Sequence, residues 1–202
     1  MFCSTFCNSE DCVKFRVYGT RILSSRSPNS PSTPSPLVLT LKLDSIAFER
    51  LNLLRQQHFP AKRNFLLAHV TLFHALPGNQ ESAIRQTLQT LCQQTSKVSV
   101  RFPTVRSLGQ GVAIEIESPE LIQVRNQLAQ GWSDWLSAQD RQGYRPHVTI
   151  QNKVTSDEAR CLYEQLSQVW QPIDGSGEGL LLWHYRGGPW ELADEFEFTD
   201  SD

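Results

Sequence analysis

A strand-helix-strand-helix-strand pattern occurs twice in this sequence, and that repetition is its strongest constraint on fold. LVLTLKL (37–43) alternates and reads as a strand. Asp44 caps the helix that follows, whose buried stripe is expected to be Ile46, Leu51, Leu54 and Phe48, with Pro60 as its stop. HVTLFHAL (69–76) is a second strand, and a helix from about Ser82 to Thr95 buries Ile84, Thr87, Leu88 and Leu91. VSVRF and the segment up to Gly109 read as a third strand. The order then restarts. GVAIEIE (111–117) is a strand, and Ser118 with Pro119 opens a helix striped by Leu121, Val124, Leu128, Trp132 and Trp135. HVTIQNKV (147–154) is the next strand. A Thr155/Glu158 capping box then starts a helix that ends before Pro172. LLLWHY (180–185) and FEF (196–198) complete the sheet. Corresponding helices start about 74 and 76 residues apart, and the two His-Val-Thr phrases lie 78 apart (147 − 69). A near-constant offset indicates internal duplication. The expected fold is therefore α+β: two pseudo-symmetric lobes, roughly 36–109 and 110–202, with antiparallel-rich sheets flanking a central cleft.

The chemistry sits on the repeated phrase. His69-Val70-Thr71-Leu72 and His147-Val148-Thr149-Ile150 match position by position. Strand alternation sends His69, Thr71 and Phe73 to one face and Val70, Leu72 and His74 to the other. His147, Thr149 and Gln151 likewise share a face. Two imidazoles and two hydroxyls converging on one space suit a phosphodiester. Histidine titrates near pH ~6.5, so one ring can be neutral while the other is charged. The neutral ring can take a proton from the attacking hydroxyl or water, and the charged one can protonate the departing oxygen. Threonine hydroxyls can donate to the non-bridging oxygens as their charge grows. That scheme needs no metal and no cofactor.

Charge and cysteine content exclude other classes. With 19 basic and 21 acidic side chains the net charge is −2, too balanced for a protein that coats nucleic acid. No apolar run is long enough to span a membrane. Five cysteines form no disulfide-like framework and no metal-ligand pattern, so the expected compartment is reducing and cytoplasmic. Residues 1 to 35 hold eight serines, three prolines, four bases and two acids, a net +2 that leaves −4 on the rest. Such a segment cannot build a core and is expected to be a disordered tail; its composition also fits an organelle transit peptide.

Across residues 36 to 198 the chain resembles the two-histidine phosphoesterases, in particular the 2′-5′ RNA ligase and RNA 2′,3′-cyclic phosphodiesterase branch. The resemblance rests on AHVTLFHALPG, on PHVTIQNKV and on the spacing between them. It implies a two-lobed fold with the active site between the lobes, His69 and His147 as catalytic acid and base, and Thr71 and Thr149 as phosphate-binding residues. The implied partners are RNA ends or small cyclic nucleotides, and the chain is expected to be a monomer.

Several residues could support that site. Arg145 shares the parity of His147 and is a candidate phosphate contact. Phe73 and Tyr185 are candidate substrate contacts; Trp183 and His184 could also stack on a base, though core packing suits Trp183 better. Two other readings stay open. A nucleotide or RNA-end binding module would use the cleft without turnover. A nucleophile hydrolase would use cysteine or serine, but no G-x-S-x-G phrase is present. A chain beginning at Pro36 is expected to keep the full protein's thermal midpoint and activity; a drop of many degrees would show that the tail packs on the domain.

Overall fold

The structure, a computed structural model, describes residues 34–200. The tail expected over residues 1 to 35 lies outside the described residues except for its last two. In chain order the elements are β1 (Leu37–Leu43), α1 (Ser45–His58), β2 (Val70–Leu76), α2 (Glu81–Cys92), β3 (Val98–Phe102), β4 (Val105–Ser107) and β5 (Gly111–Glu115). There follow α3 (Pro119–Gly131), β6 (His147–Asn152), α4 (Ser156–Val169), β7 (Ile173–His184) and β8 (Glu191–Glu197). The strands form one antiparallel sheet in the order β3-β7-β1-β2-β6-β5-β4, with β8 paired on β7.

The repeat survives in three dimensions. β1 and β5 start 74 residues apart (111 − 37), α2 and α4 75 apart (156 − 81), and β3 and β7 75 apart (173 − 98). The pairs β1–β2 and β5–β6 correspond. The halves meet where β2 and β6 share the single pair Val70↔Val148. These valines hold the same place in their phrases, so the pseudo-two-fold axis passes between them. The halves meet again along β3 and β7, from Val98↔Gly177 to Phe102↔Ile173. Because β7 and β8 lie beside β1 while α1 packs against β6, the sheet interleaves the halves. The division near residue 109 marks the repeat and is not a boundary in the sheet.

Local chemistry explains most element ends. Asp44 Oδ1 accepts the Ala47 N–H at 2.9 Å, and Ser118 Oγ accepts Leu121 N–H at 3.2 Å ahead of Pro119. Thr155 and Glu158 cap one another reciprocally. Four expectations are corrected. On α1 Leu51 is buried as expected and Phe48 and Leu54 pack partly buried against the core, but Ile46 is 78% exposed, because the helix turns its Ala47, Leu51, Arg55 row to the sheet. The strand expected up to Gly109 breaks at Pro103 into β3 and β4, since proline cannot donate to the ladder. β7 begins at Ile173, well before Leu180. Its early glycines allow α1 and the neighbouring strands to pack closely: a Cβ at Gly175 would lie 2.7 Å from Asp44 Oδ2, and one at Gly177 would lie 2.7 Å from Leu41 and Val98. β8 starts at Glu191, before the expected FEF; its acids pair outward with Arg186, Arg85 and Lys42.

Asp44 also joins α1 to the sheet, because its Oδ2 accepts the Ser176 N–H at 2.6 Å. Asp44→Ala removes a helix cap, worth about 1 kcal/mol, and leaves a strand N–H unpaired, worth about 1–3 kcal/mol. The urea midpoint is expected to fall accordingly with an unchanged slope.

Candidate active site

Both motif strands carry a bulge at the fourth residue of the phrase. Thr40 pairs with Thr71 but Leu39 pairs with Phe73, so β2 has an extra residue around Leu72. Ala113 pairs with Thr149 but Val112 pairs with Gln151, so β6 has its extra residue around Ile150. Gly111 permits the close approach there, since a Cβ on it would lie 2.1 Å from the Gln151 carbonyl oxygen. A bulge reverses the faces of the residues beyond it. Phe73 is therefore fully buried, edge-on to Trp132 and under Arg125, and does not face the cleft as alternation predicted. His74 takes the cleft side instead. Asn152 occupies the corresponding place after the second motif, and Gln151, expected beside His147, is not among the cleft residues.

The cleft has a volume of about 460 Å³ and brings together His69, Thr71, His74, Arg145, His147 and Thr149, with Arg106, Tyr144 and Trp190 among its other walls. The two motif histidines are held alike. His69 Nδ1 donates to the Leu67 carbonyl at 2.7 Å, and His147 Nδ1 donates to the Arg145 carbonyl at 2.9 Å. A carbonyl can only accept, so each neutral ring keeps its lone pair on Nε2. Burial pulls the His69 pKa down to about 4. The Leu67 bond opposes the shift, and Arg55, His147 and His74 add to it as nearby positive charges. His147 is also lowered, first by burial and then by Arg106 and His74, against the Arg145 carbonyl and Glu115.

His74 is fixed by a buried carboxylate. Asp140 Oδ1 accepts both the His74 backbone N–H at 2.9 Å and its Nδ1–H at 3.0 Å. Asp140 Oδ2 accepts Ser137 Oγ at 2.8 Å and Ala75 N–H at 3.2 Å. Burial alone would raise the Asp140 pKa. These hydrogen bonds, from His74 foremost, override it and hold the carboxyl at about 2. The buried Tyr144 hydroxyl near this end of the cleft has no hydrogen-bond partner among the described residues.

Two buried arginines anchor the motif strands from behind, and each crosses between halves. Arg55 on α1 donates to the Thr149 carbonyl of β6 at 2.7 Å, as well as to Leu66 O and Asn64 Oδ1, both at 3.1 Å. Arg125 on α3 donates to the Leu72 carbonyl of β2 at 3.1 Å and to the Asp140 carbonyl. Neither guanidinium meets a carboxylate in these bonds, and burial lowers the Arg55 pKa to about 10. The sequence reading missed both, because a lone arginine in a helix reads as a surface charge. It also missed Trp190, whose ring lies 4.7 Å from that of His69. Tyr185 is 44% exposed and lies outside the cleft residues, its backbone N–H bonded to Pro36 O at 2.9 Å. Trp183 is half-buried and donates Nε1–H to Thr40 Oγ1 at 2.9 Å, and His184 bonds Glu81 at 2.9 Å. Cys92 is buried, its thiol pushed up to about 12 mainly by burial, and neither it nor Cys161 lines the cleft.

The model of the 2′-5′ RNA ligase superfamily matches residues 43–189. The chain belongs to that superfamily, one of two-histidine phosphoesterases. A search of curated proteins by sequence finds no match. Among solved structures, the fold is shared with TT0787 of Thermus thermophilus, at 12% identity and TM-score 0.59 over 83% of this chain and 100% of that one. It is also shared with E. coli LigT complexed with 3′-AMP, at 17% identity and TM-score 0.55 over 83% of this chain and 99% of that one. LigT complexed with NADP+ gives 19% identity and TM-score 0.56, covering 84% of this chain and all of that one.

In this superfamily member, Arg55→Met should raise the His69 titration midpoint seen by NMR, because a nearby cation is lost. It should also destabilise the fold by about 2–4 kcal/mol, since buried carbonyls lose their donor. Arg55→Lys keeps the charge but not the fork. It should leave the midpoint low while still losing stability, and equal midpoints in both variants would refute the electrostatic role.

Proposed function

We propose that the protein is a metal-independent phosphodiesterase that opens 2′,3′-cyclic phosphates on RNA ends or nucleotides. The observation that carries this reading is the pair His69 and His147. His147 opens β6 and His69 immediately precedes its neighbour β2, about one pseudo-two-fold axis, and each has its Nδ1 committed to a carbonyl two residues upstream. Each Nε2 is thereby left to exchange a proton with substrate. One neutral ring takes a proton from water as the water oxygen attacks phosphorus. The bond from phosphorus to one ribose oxygen breaks, and the second, protonated ring delivers its proton to that oxygen. Thr71, Thr149 and Arg145 meet the non-bridging oxygens, whose charge rises in the transition state. With a 5′-hydroxyl as the attacking group the same transfers form a 2′-5′ linkage. The LigT complexes with 3′-AMP, NADP+ and ATP support a nucleotide-sized occupant. A pure binding module would not require two rings set alike, and the buried Cys92 thiol is unsuited to nucleophilic attack.

Both histidine pKa values lie below 6.5, so the singly protonated pair that turns over should dominate the free enzyme on the acid side of that value. The bell of kcat/KM should peak there and decline as pH rises. Arg55, Arg106 and His74 hold it down and Glu115 opposes them. A bound phosphate anion favours the charged ring, so the alkaline limb of kcat should lie at higher pH. His69→Ala and His147→Ala should each lose about 10²-fold or more, with the double variant far from multiplicative, and chelator should leave the rate unchanged. Binding of nucleotide without turnover at any pH would overturn the assignment.

A further inference from the structure

An open groove of about 810 Å³ adjoins the cleft across two turns. Leu108 and Asn152 line the cleft, whereas Gln110 and Lys153, from the same two turns, line the groove together with Lys62 and Arg63. The segments are tied to one another. Val154 N–H donates to the Gln110 carbonyl at 3.2 Å, and the Arg63 guanidinium reaches the Lys153 carbonyl at 3.5 Å. Lys62, Arg63 and Lys153 are all exposed, and among the described residues none of them is ion-paired with a carboxylate. Glu158 shares the groove, but its Oε2 is engaged by Thr155 N–H at 2.9 Å and Thr155 Oγ1 at 2.8 Å. Such a patch does not follow from composition, since residues 36 to 202 carry −4 and the acids of β8 stand with Lys42, Arg85 and Arg186. Lys153 adds a second observation. Its φ is 60°, a left-handed conformation that glycine or asparagine adopts most readily. Asn152 Oδ1 holds the turn by accepting the Lys153 N–H at 2.7 Å. A long cationic side chain kept at a strained and exposed position points to use of the charge rather than of the turn.

We infer that this groove holds the sugar-phosphate backbone of a single-stranded RNA whose 3′ end occupies the cleft. The inference rests on the phosphoesterase reading for which end lies between His69 and His147, and not on turnover. On a terminal ribose closed by a 2′,3′-cyclic phosphate, only the 5′ oxygen leads on into the chain. The strand must therefore leave the cleft over one rim, and the rim at Asn152 and Lys153 leads to three cations. Each further phosphate of the strand carries one negative charge, and Lys and Arg meet such charges without reading sequence. The net negative charge of the domain does not oppose this, because the field over a groove is set by the groups that line it. An acidic peptide would meet the same cations, but it has no end that suits two imidazoles and two threonines.

The test is calorimetric titration of the full chain with 3′-AMP and with an oligoadenylate pentanucleotide ending in a 3′-phosphate, at several salt concentrations. At low salt the pentanucleotide should bind about tenfold or more tighter than 3′-AMP. Its log K should fall with log salt more steeply by about 2, which is about 0.7 for each of three further phosphate contacts. The double variant Lys62→Gln, Lys153→Asn should lose most of that ratio and cut the extra slope to about 0.7, with 3′-AMP affinity unchanged. Asparagine suits the left-handed backbone better than lysine, so the thermal midpoint should not fall. Equal affinity of the wild-type chain for 3′-AMP and the pentanucleotide would overturn the inference. So would a preference for the pentanucleotide that survives the double variant. Competition by a polyglutamate peptide as strong as that of the pentanucleotide would assign the groove to an acidic protein, and would also overturn it. The expected ratio found together with no turnover of RNA ending in a 2′,3′-cyclic phosphate would uphold this surface and reject the phosphodiesterase reading. Turnover of a cyclic mononucleotide with no such ratio would do the reverse.

Discussion

The two crossing arginines are the constraint on which the site depends. A buried guanidinium is expensive to desolvate, and it is tolerated only where several acceptors are already in place. Arg55 and Arg125 find those acceptors at the carbonyls of Thr149 and Leu72, the places where the motif strands bulge and ladder pairing is disturbed. Each arginine comes from a helix of one half and holds the strand of the other. The single ladder pair Val70↔Val148 could not by itself hold the two strands in register. The arginines therefore supply both geometry and charge behind the threonines proposed to meet phosphate.

That charge has a consequence for the histidines. Burial, Arg55 and the neighbouring rings hold His69 neutral across the physiological range, while its Nδ1 is pinned by Leu67. A neutral ring with its lone pair on Nε2 can accept a proton. In the phosphodiesterase proposed above, an anionic phosphate between the rings favours charging the partner ring. His74 adds a third imidazole whose orientation is set by Asp140, a carboxylate kept ionised by the hydrogen bonds it receives. The cleft is polar on the side of His74, Arg145 and Tyr144 and meets apolar aromatic surface on the side of Trp190. His69 stands where the two meet.

Much of this was legible in the amino-acid order, because it rests on short-range physics. The caps at Asp44, Ser118 and Thr155 depend on a side chain and an N–H three residues away. The apolar stripes of α2, α3 and α4 depend on helical period. The repeat and the two His-x-Thr phrases, hence the family and the candidate acid–base pair, are visible as identical letters at a near-constant offset.

What remained hidden depends on groups far apart in the chain. Alternation placed Phe73 in the cleft and His74 outside it, and the bulge at Leu72 exchanged them; a bulge is a property of pairing with β1, not of β2 alone. The glycines that disguise the start of β7 are explained only by the closeness of Asp44, Ala47, Leu41 and Val98. Arg55, Arg125 and Trp190 look like surface residues until the partners they meet, up to 94 positions away for Arg55 and Thr149, are brought beside them. The sequence by itself determined the elements, the duplication and the reactive residue types, because those follow from neighbours along the chain. Only the tertiary structure decided which face each side chain occupies and which buried charges stand behind the site, because pairing register and desolvation arise from contacts between distant segments.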